Sequence, residues 1–254
     1  MARGLTATRS RARDLIVRGA VLVDGIACLK PGQFVGAGTV VEIGGEQGRA
    51  GPPSGAHYVS RGALKLAAAL DHFGFDPAGK VALDIGASTG GFTQVLLERG
   101  AMHVTAVDVG RSQLAGVLLD DHRVTFMDGQ DARRLDRDLI PEPPEFVVAD
   151  VSFISLTLAL PAALALAAPG AHLVALVKPQ FEAGRAAVGK GGIVRSEADR
   201  EAALARVRDW VAAQPGWRVF GTMGSPITGK AGNSEYLLAA IKDTTLGNGA
   251  HGDG

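Results

Sequence analysis

"VALDIGASTGGFTQVLLERG", residues 81–100, decides the fold. Val81, Ala82 and Leu83 open an apolar run that reads as a strand, "GASTGG" is a glycine-rich turn, and residues 90–99 read as a helix. A turn of this kind at the carboxyl end of a strand is where α/β proteins hold charged ligands. Two phosphate-binding readings fail on single residues. The dinucleotide fingerprint needs a glycine where Ser88 stands between Gly86 and Gly91, and the P-loop needs a lysine where Phe92 precedes Thr93. Asp84, at the end of the strand, would repel phosphate and attract a cation. A ligand carrying both an ammonium and a carboxylate suits the stretch. S-adenosylmethionine is such a ligand: Asp84 would take the ammonium, and the turn and helix start, Gly86, Ala87, Ser88, Thr89, Gly90, Gly91 and Phe92, would take the carboxylate. The alternative is a glycine-rich strand-to-helix turn with no ligand.

Outward from this stretch the chain alternates. The pattern predicts a helix over 60–73, strands over 81–85 and 103–108, a helix over 112–118, a strand over 124–127 and a short helix near 133. Next come a strand over 145–150, a helix over 155–168 and a strand over 172–178. A charged helix over 197–213 and two closing strands, "WRVFGTM" and "EYLLAAI", complete it. Regular alternation implies an α/β fold with a mostly parallel sheet covered by helices on both faces. The expected layout is a small N-terminal module over 1–46, a Gly- and Pro-rich linker over 47–57, the α/β domain over 58–242 and a disordered tail over 243–254.

Bulk properties narrow the class. The 254 residues are 46% hydrophobic with zero net formal charge, yet the first thirty hold six basic residues against two acidic ones. Positive charge at one end suits an anionic polymer. A single cysteine excludes a disulfide framework and a cysteine-rich metal site, and it suits a reducing, cytoplasmic setting; no metal is expected. Residues 154–177 lack Asp, Glu, Lys and Arg and are long enough to span a bilayer, but Pro161, Pro169, Gly170 and His172 interrupt them. They read as helix, turn and buried strand, so no membrane is expected.

Ligands in such sheets bind beyond the carboxyl ends of the strands. Asp108 ends the second strand, 24 positions after Asp84, where an acid can accept both hydroxyls of a cofactor ribose. Asp131, after the third strand, could accept from the adenine amino group, with Asp128 as its competitor and turn chemistry as the alternative for both. Asp150 and Lys178 each follow a long apolar strand; a lysine so placed is partly desolvated, which makes a neutral amine accessible as a base. Lys65 lies in the helix before the first strand, off the stripe of Leu66, Leu70 and Phe73. Glu235 begins the last strand and lies at the same rim if that strand is antiparallel. Two lysines and two carboxylates are thus expected to converge.

Six segments carry a family resemblance: "YVSRGALKLAAAL", "ALDIGASTGGFT", "VVADVSFISL", "VALVKPQFEAGR", "VGKGGIVR" and "SPITGKAGNSEYLL". They resemble the TlyA, or haemolysin A, family of ribosomal RNA 2'-O-ribose methyltransferases, whose catalytic domain is of the FtsJ type. The resemblance implies a Rossmann-like class I methyltransferase with a seven-stranded sheet containing one antiparallel strand. It also implies adenosylmethionine as cofactor and ribosomal subunits as partners. The family's K-D-K-E tetrad falls on Lys65, Asp150, Lys178 and Glu235. "TRSRARDLIVRGAVLVDG" resembles an S4 RNA-binding module, expected to be N-terminally incomplete. Arg9, Arg11, Arg13 and Arg18 there, with Arg185, Lys190 and Arg195 of a later Gly-rich loop, are candidate phosphate contacts. "DVSF" lacks the proline shelf of enzymes that methylate base amino groups, which favours ribose chemistry. Methylation of a base, membrane lysis and RNA binding without catalysis are the competing readings.

Overall fold

The computed structural model describes residues 5–6, 9, 12–13, 16, 21–23, 26–27, 31–32, 35–36, 39, 41–43, 58–184, 187–189, 191–229 and 232–244. It divides into two compact units, Met1–Arg61 and Gly62–Gly254. The first contains an antiparallel sheet ordered β2-β1-β3, from β1 (Val21–Val23), β2 (Ile26–Ala27) and β3 (Val41–Ile43). Arg9 and Arg13 are exposed in this unit. Arg11, Arg18, Arg185 and Lys190 lie outside the described residues, as do 44–57 and 245–254.

The second unit is built on a seven-stranded sheet of β4 (Val81–Ile85), β5 (His103–Asp108), β6 (Val124–Asp128), β7 (Phe146–Ala149), β8 (His172–Val177), β9 (Trp217–Gly224) and β10 (Tyr236–Lys242). The order is β6-β5-β4-β7-β8-β10-β9, and β10 runs antiparallel to both neighbours, so it is the one reversed strand. β4, β7 and the last five residues of β8 are buried throughout, as expected for strands covered on both faces. Fully burying residues such as Leu83, Phe146 and Leu173 stabilises the fold by about 1.5–3 kcal/mol each. Strand order reverses between β4 and β7, the switch point beyond whose carboxyl ends ligands bind in such sheets.

The helices described in this second unit are α1 (Gly62–Phe73), α2 (Gly91–Glu98), α3 (Gly116–Leu119), α4 (Leu156–Ala159), α5 (Pro161–Leu166), α6 (Pro179–Glu182) and α7 (Glu197–Ala212). Three differ from the sequence pattern. The helix expected over 155–168 is two, because Pro161 has no N–H to continue the ladder and instead starts α5. The helix expected from 112 begins at Gly116; Ser112, at φ 52°, has left-handed backbone that a helix cannot contain. α6, absent from the expected pattern, starts at Pro179 directly after Lys178. α7 starts at Ser196, whose hydroxyl accepts from Asp199 N, with Glu197 and Asp199 in its first turn. It buries only Ala203, Val207 and Val211, a stripe of i, i+4, i+8 spacing.

The last strand is fastened to α5 by Lys242. Its ammonium donates to the carbonyls of Leu164 at 3.1 Å and Ala167 at 2.7 Å, while Trp217 Nε1 also donates to Leu164 O. A cation here satisfies carbonyls that the helix end leaves without partners. The uncharged stretch 154–177 is α4, α5, a turn and β8, and among the described residues no helix is long and apolar enough to cross a membrane.

Candidate active site

The turn after β4 is shaped by close approach. Gly86, at φ +83°, leaves no room for a side chain: a Cβ would lie 2.9 Å from the backbone oxygen of Asp150. Gly90, at φ +97°, lies against Leu114 and Leu118 with equally little space. The two glycines therefore fold the turn tightly between β7 and α3. Several of its amides are already engaged. Gly86 N and Ala87 N donate to Val107 O, Gly90 N to Ala87 O, and Ser88 N to Asp108 Oδ2 at 2.7 Å. Of the turn amides expected to take a carboxylate, those of Gly86, Ala87, Ser88 and Gly90 thus already have partners.

Asp84 is fully buried inside β4. Thr93 Oγ1 donates to its Oδ2 at 2.6 Å, whereas Oδ1 is enclosed with no hydrogen-bond donor. Burial pushes its pKa up to about 7, the charges of Asp150 and Asp108 add to this, and the Thr93 bonds oppose it. An enclosed carboxylate oxygen with no donor fits a cationic group on a ligand.

The next acids along the rim behave differently. Asp108 accepts from Ser88 N and Gly110 N, both at 2.7 Å, which orients its carboxylate at the mouth of the turn. Asp131 caps the 3-10 turn Ala132–Arg133–Arg134, and the Arg133 guanidinium grips both its oxygens, down to 2.6 Å. That hydrogen bonding holds its pKa down, to about 2. Its carboxylate is engaged in turn chemistry, so contact with an adenine amino group would have to share it with Arg133. Asp128 accepts from Ser112 N.

Four ionisable residues form two ion pairs at the same rim. Lys178 Nζ lies 2.6 Å from Asp150 Oδ1, and it donates to Ser152 Oγ at 2.8 Å. Lys65 Nζ donates to Glu235 Oε2 at 2.5 Å across 170 residues of sequence. Strand register sets the pairs side by side. Ala149 pairs with Ile85 and Ala175, and Tyr236 pairs with Val177, so Asp84, Asp150, Lys178 and Glu235 occupy the ends of four adjacent strands. Neighbouring strands lie about 4.8 Å apart. Lys65 enters from α1 and is not off the packed stripe, as the helix pattern suggested, but 7% exposed within it. Glu235, itself 5% exposed, is the reason an ammonium can be buried there.

Three further residues escape a reading of the sequence. Ser152 accepts from Lys178; Glu182, buried in α6, reaches the start of α4; and Asn233 bridges Val194 N and Gly192 O. Pro179, a helix-start signal, could have disclosed α6 and hence Glu182; nothing in the sequence singles out Asn233. Phe153 is 91% exposed at φ 66°, its ring 5.2 Å from that of Phe181. Trp217 is a core residue. Arg195 is exposed beside the Gly-rich loop. Among the described residues no cluster of His, Cys, Asp and Glu could hold a metal ion.

The FtsJ-like methyltransferase model matches residues 58–242 and the S4 domain model matches residues 2–41. The chain is 44% identical over 236 residues to the 16S/23S rRNA (cytidine-2'-O)-methyltransferase TlyA of Mycobacterium tuberculosis, covering 93% of this chain and 85% of that one. It is 37% identical to Hemolysin A of Brachyspira hyodysenteriae, covering 94% and 95%. A solved structure from Streptococcus thermophilus that carries the hemolysin name superposes with a TM-score of 0.70 at 41% identity, covering 95% and 86%. The reversed strand, the glycine-rich turn and the matched span lead to one assignment: the chain belongs to the FtsJ-like methyltransferase family.

Proposed function

We propose that the chain methylates ribosomal RNA on a ribose 2'-hydroxyl, with cytidine as the nucleoside and S-adenosylmethionine as the donor. The observation that carries this reading is the pair of lysine–carboxylate contacts on adjacent strand ends beside the Asp84 turn. The relatives named for this activity support it. Asp84, with its enclosed oxygen, would hold the methionyl ammonium; the amides of Thr89, Gly91 and Phe92 would hold the carboxylate; Asp108 would accept from the ribose. When bound, the donor supplies an electrophilic methyl group.

A sugar hydroxyl is a weak nucleophile at neutral pH and needs alignment and polarisation. Lys178 Nζ lies 2.6 Å from the Asp150 carboxylate and donates to Ser152, which fixes the direction of its remaining N–H groups. Lys178 therefore steers the hydroxyl oxygen through an N–H, and the Lys178–Asp150 pair accepts the proton as a unit. Lys65, held by Glu235, is a second cation that stabilises developing negative charge on oxygen. Phe153 offers an exposed ring on which a base can stack while its sugar enters the site. Arg195 and the arginines of the first unit would contact phosphates.

The test is transfer of labelled methyl from adenosylmethionine to purified ribosomal subunits, followed by mass analysis of the nucleosides. Label on the sugar supports ribose chemistry and label on the base refutes it. Lys178→Ala should lower turnover by on the order of 1,000-fold or more, since alignment alone can contribute about 7–11 kcal/mol. Equal incorporation by the variant and the parent would overturn the mechanism.

A further inference from the structure

Glu182 has no part in the chemistry above, yet it is 4% exposed and fully engaged. Its Oε2 accepts from Ser155 Oγ at 2.6 Å and its Oε1 from Leu156 N at 2.9 Å, while its own carbonyl accepts from Arg206 of α7 at 2.7 Å. Ser155 and Leu156 start α4, the helix that follows Asp150; Glu182 ends α6, the short helix that follows Lys178. The carboxylate of one crossover thus caps the helix of the other.

The two segments, 150–156 and 178–182, run side by side and touch at three levels. Lys178 meets Asp150 and Ser152 at the base, Phe181 meets Phe153 in the middle, and Glu182 meets Ser155 and Leu156 at the far end. A buried carboxylate whose polar partners sit on another segment is costly to place and costly to leave unpaired. A surface cap such as the serine that starts α7 does the same local work without that cost. What Glu182 adds is a fixed register between the segment carrying Asp150 and the segment carrying Lys178.

We propose that Glu182 is a positioning residue for the Lys178–Asp150 pair, an inference that rests on the role given to Lys178 above. It acts through the backbone of α6 and α4, and its loss lets Lys178 drift from its aligned place. A misplacement of about 1 Å can lower a rate on the order of 100-fold.

Methyl transfer to ribosomal subunits by the full chain tests this, with kcat, the KM for RNA, the dissociation constant for adenosylmethionine and the melting temperature read together. Glu182→Ala should lose on the order of 100-fold in kcat with little change in KM or in cofactor affinity. Glu182→Gln, which keeps an acceptor oxygen, should recover most of the rate, and Ser155→Ala should fall between Gln and Ala. If Glu182→Ala fails to fold, the other two variants decide by the same readouts. A lower melting temperature with kcat within about twofold of the parent, or a rise in KM alone, overturns the proposal. Lys178→Ala run in parallel separates the two ideas. Full turnover by that variant sinks the lysine mechanism and this proposal with it, whereas loss there beside normal kcat in every Glu182 and Ser155 variant sinks only the positioning role.

Discussion

Asp84 is the residue whose surroundings most constrain ligand binding. Its raised pKa, about 7 against an ordinary 3.8, means that the native state holds the proton more tightly than the unfolded chain does. The contribution to stability is full below about pH 4 and is lost as pH rises through about 7, so the ligand-free protein should melt lower across that window. Asp84→Asn should flatten this slope, as thermal melts at several pH values would register. A cationic ligand prefers the ionised form, so adenosylmethionine affinity should instead rise as pH rises towards about 7, and calorimetry with the Asn variant should show no such rise. Asp150 and Asp108 face Asp84 and push in the same direction, and Thr93 opposes them; Thr93→Val should therefore move the inflection to higher pH. The local sequence discloses the position of this carboxylate but not its protonation. That depends on full enclosure by residues far along the chain.

Elements show where pattern suffices and where it fails. Strands with continuous apolar runs, such as β7 and β8, are legible because burial on both faces makes them apolar throughout and turn residues bound them. Helical spacing misplaces Lys65 because it reports the average face of α1, not a single buried ion pair closed by a residue 170 positions away. The four-residue α6 gives too short a period to read, and its value lies in what Glu182 reaches. The end of α5 illustrates a long-range cap that local sequence cannot reveal. Lys242→Met should keep the stem but lose the bonds to Leu164 and Ala167, lowering stability by about 1–2 kcal/mol in denaturant unfolding. Methyl transfer by the folded fraction should be unchanged, since this contact lies at the opposite end of β10 from Glu235.

At the scale of the whole molecule, charge and fold divide the labour. The seven-stranded unit carries the strand-end residues, and the unit at Met1–Arg61 carries exposed Arg9 and Arg13. The logarithm of RNA affinity should fall linearly with the logarithm of salt concentration. Replacing Arg9 and Arg13 together by Ala should reduce that slope by about 0.7–0.9 for each phosphate no longer neutralised, without changing cofactor affinity. Filter binding at several salt concentrations measures the first effect and calorimetry the second. The reversed strand β10 has a further consequence, in the time domain. It inserts between β8 and the edge strand β9 and delivers Glu235, so that side of the sheet stays unpaired until β10 has been synthesised. A nascent polypeptide with Lys65 long since emerged still lacks the counter-ion that lets that ammonium be buried. The Lys65–Glu235 contact can therefore form only once β10 has joined the sheet.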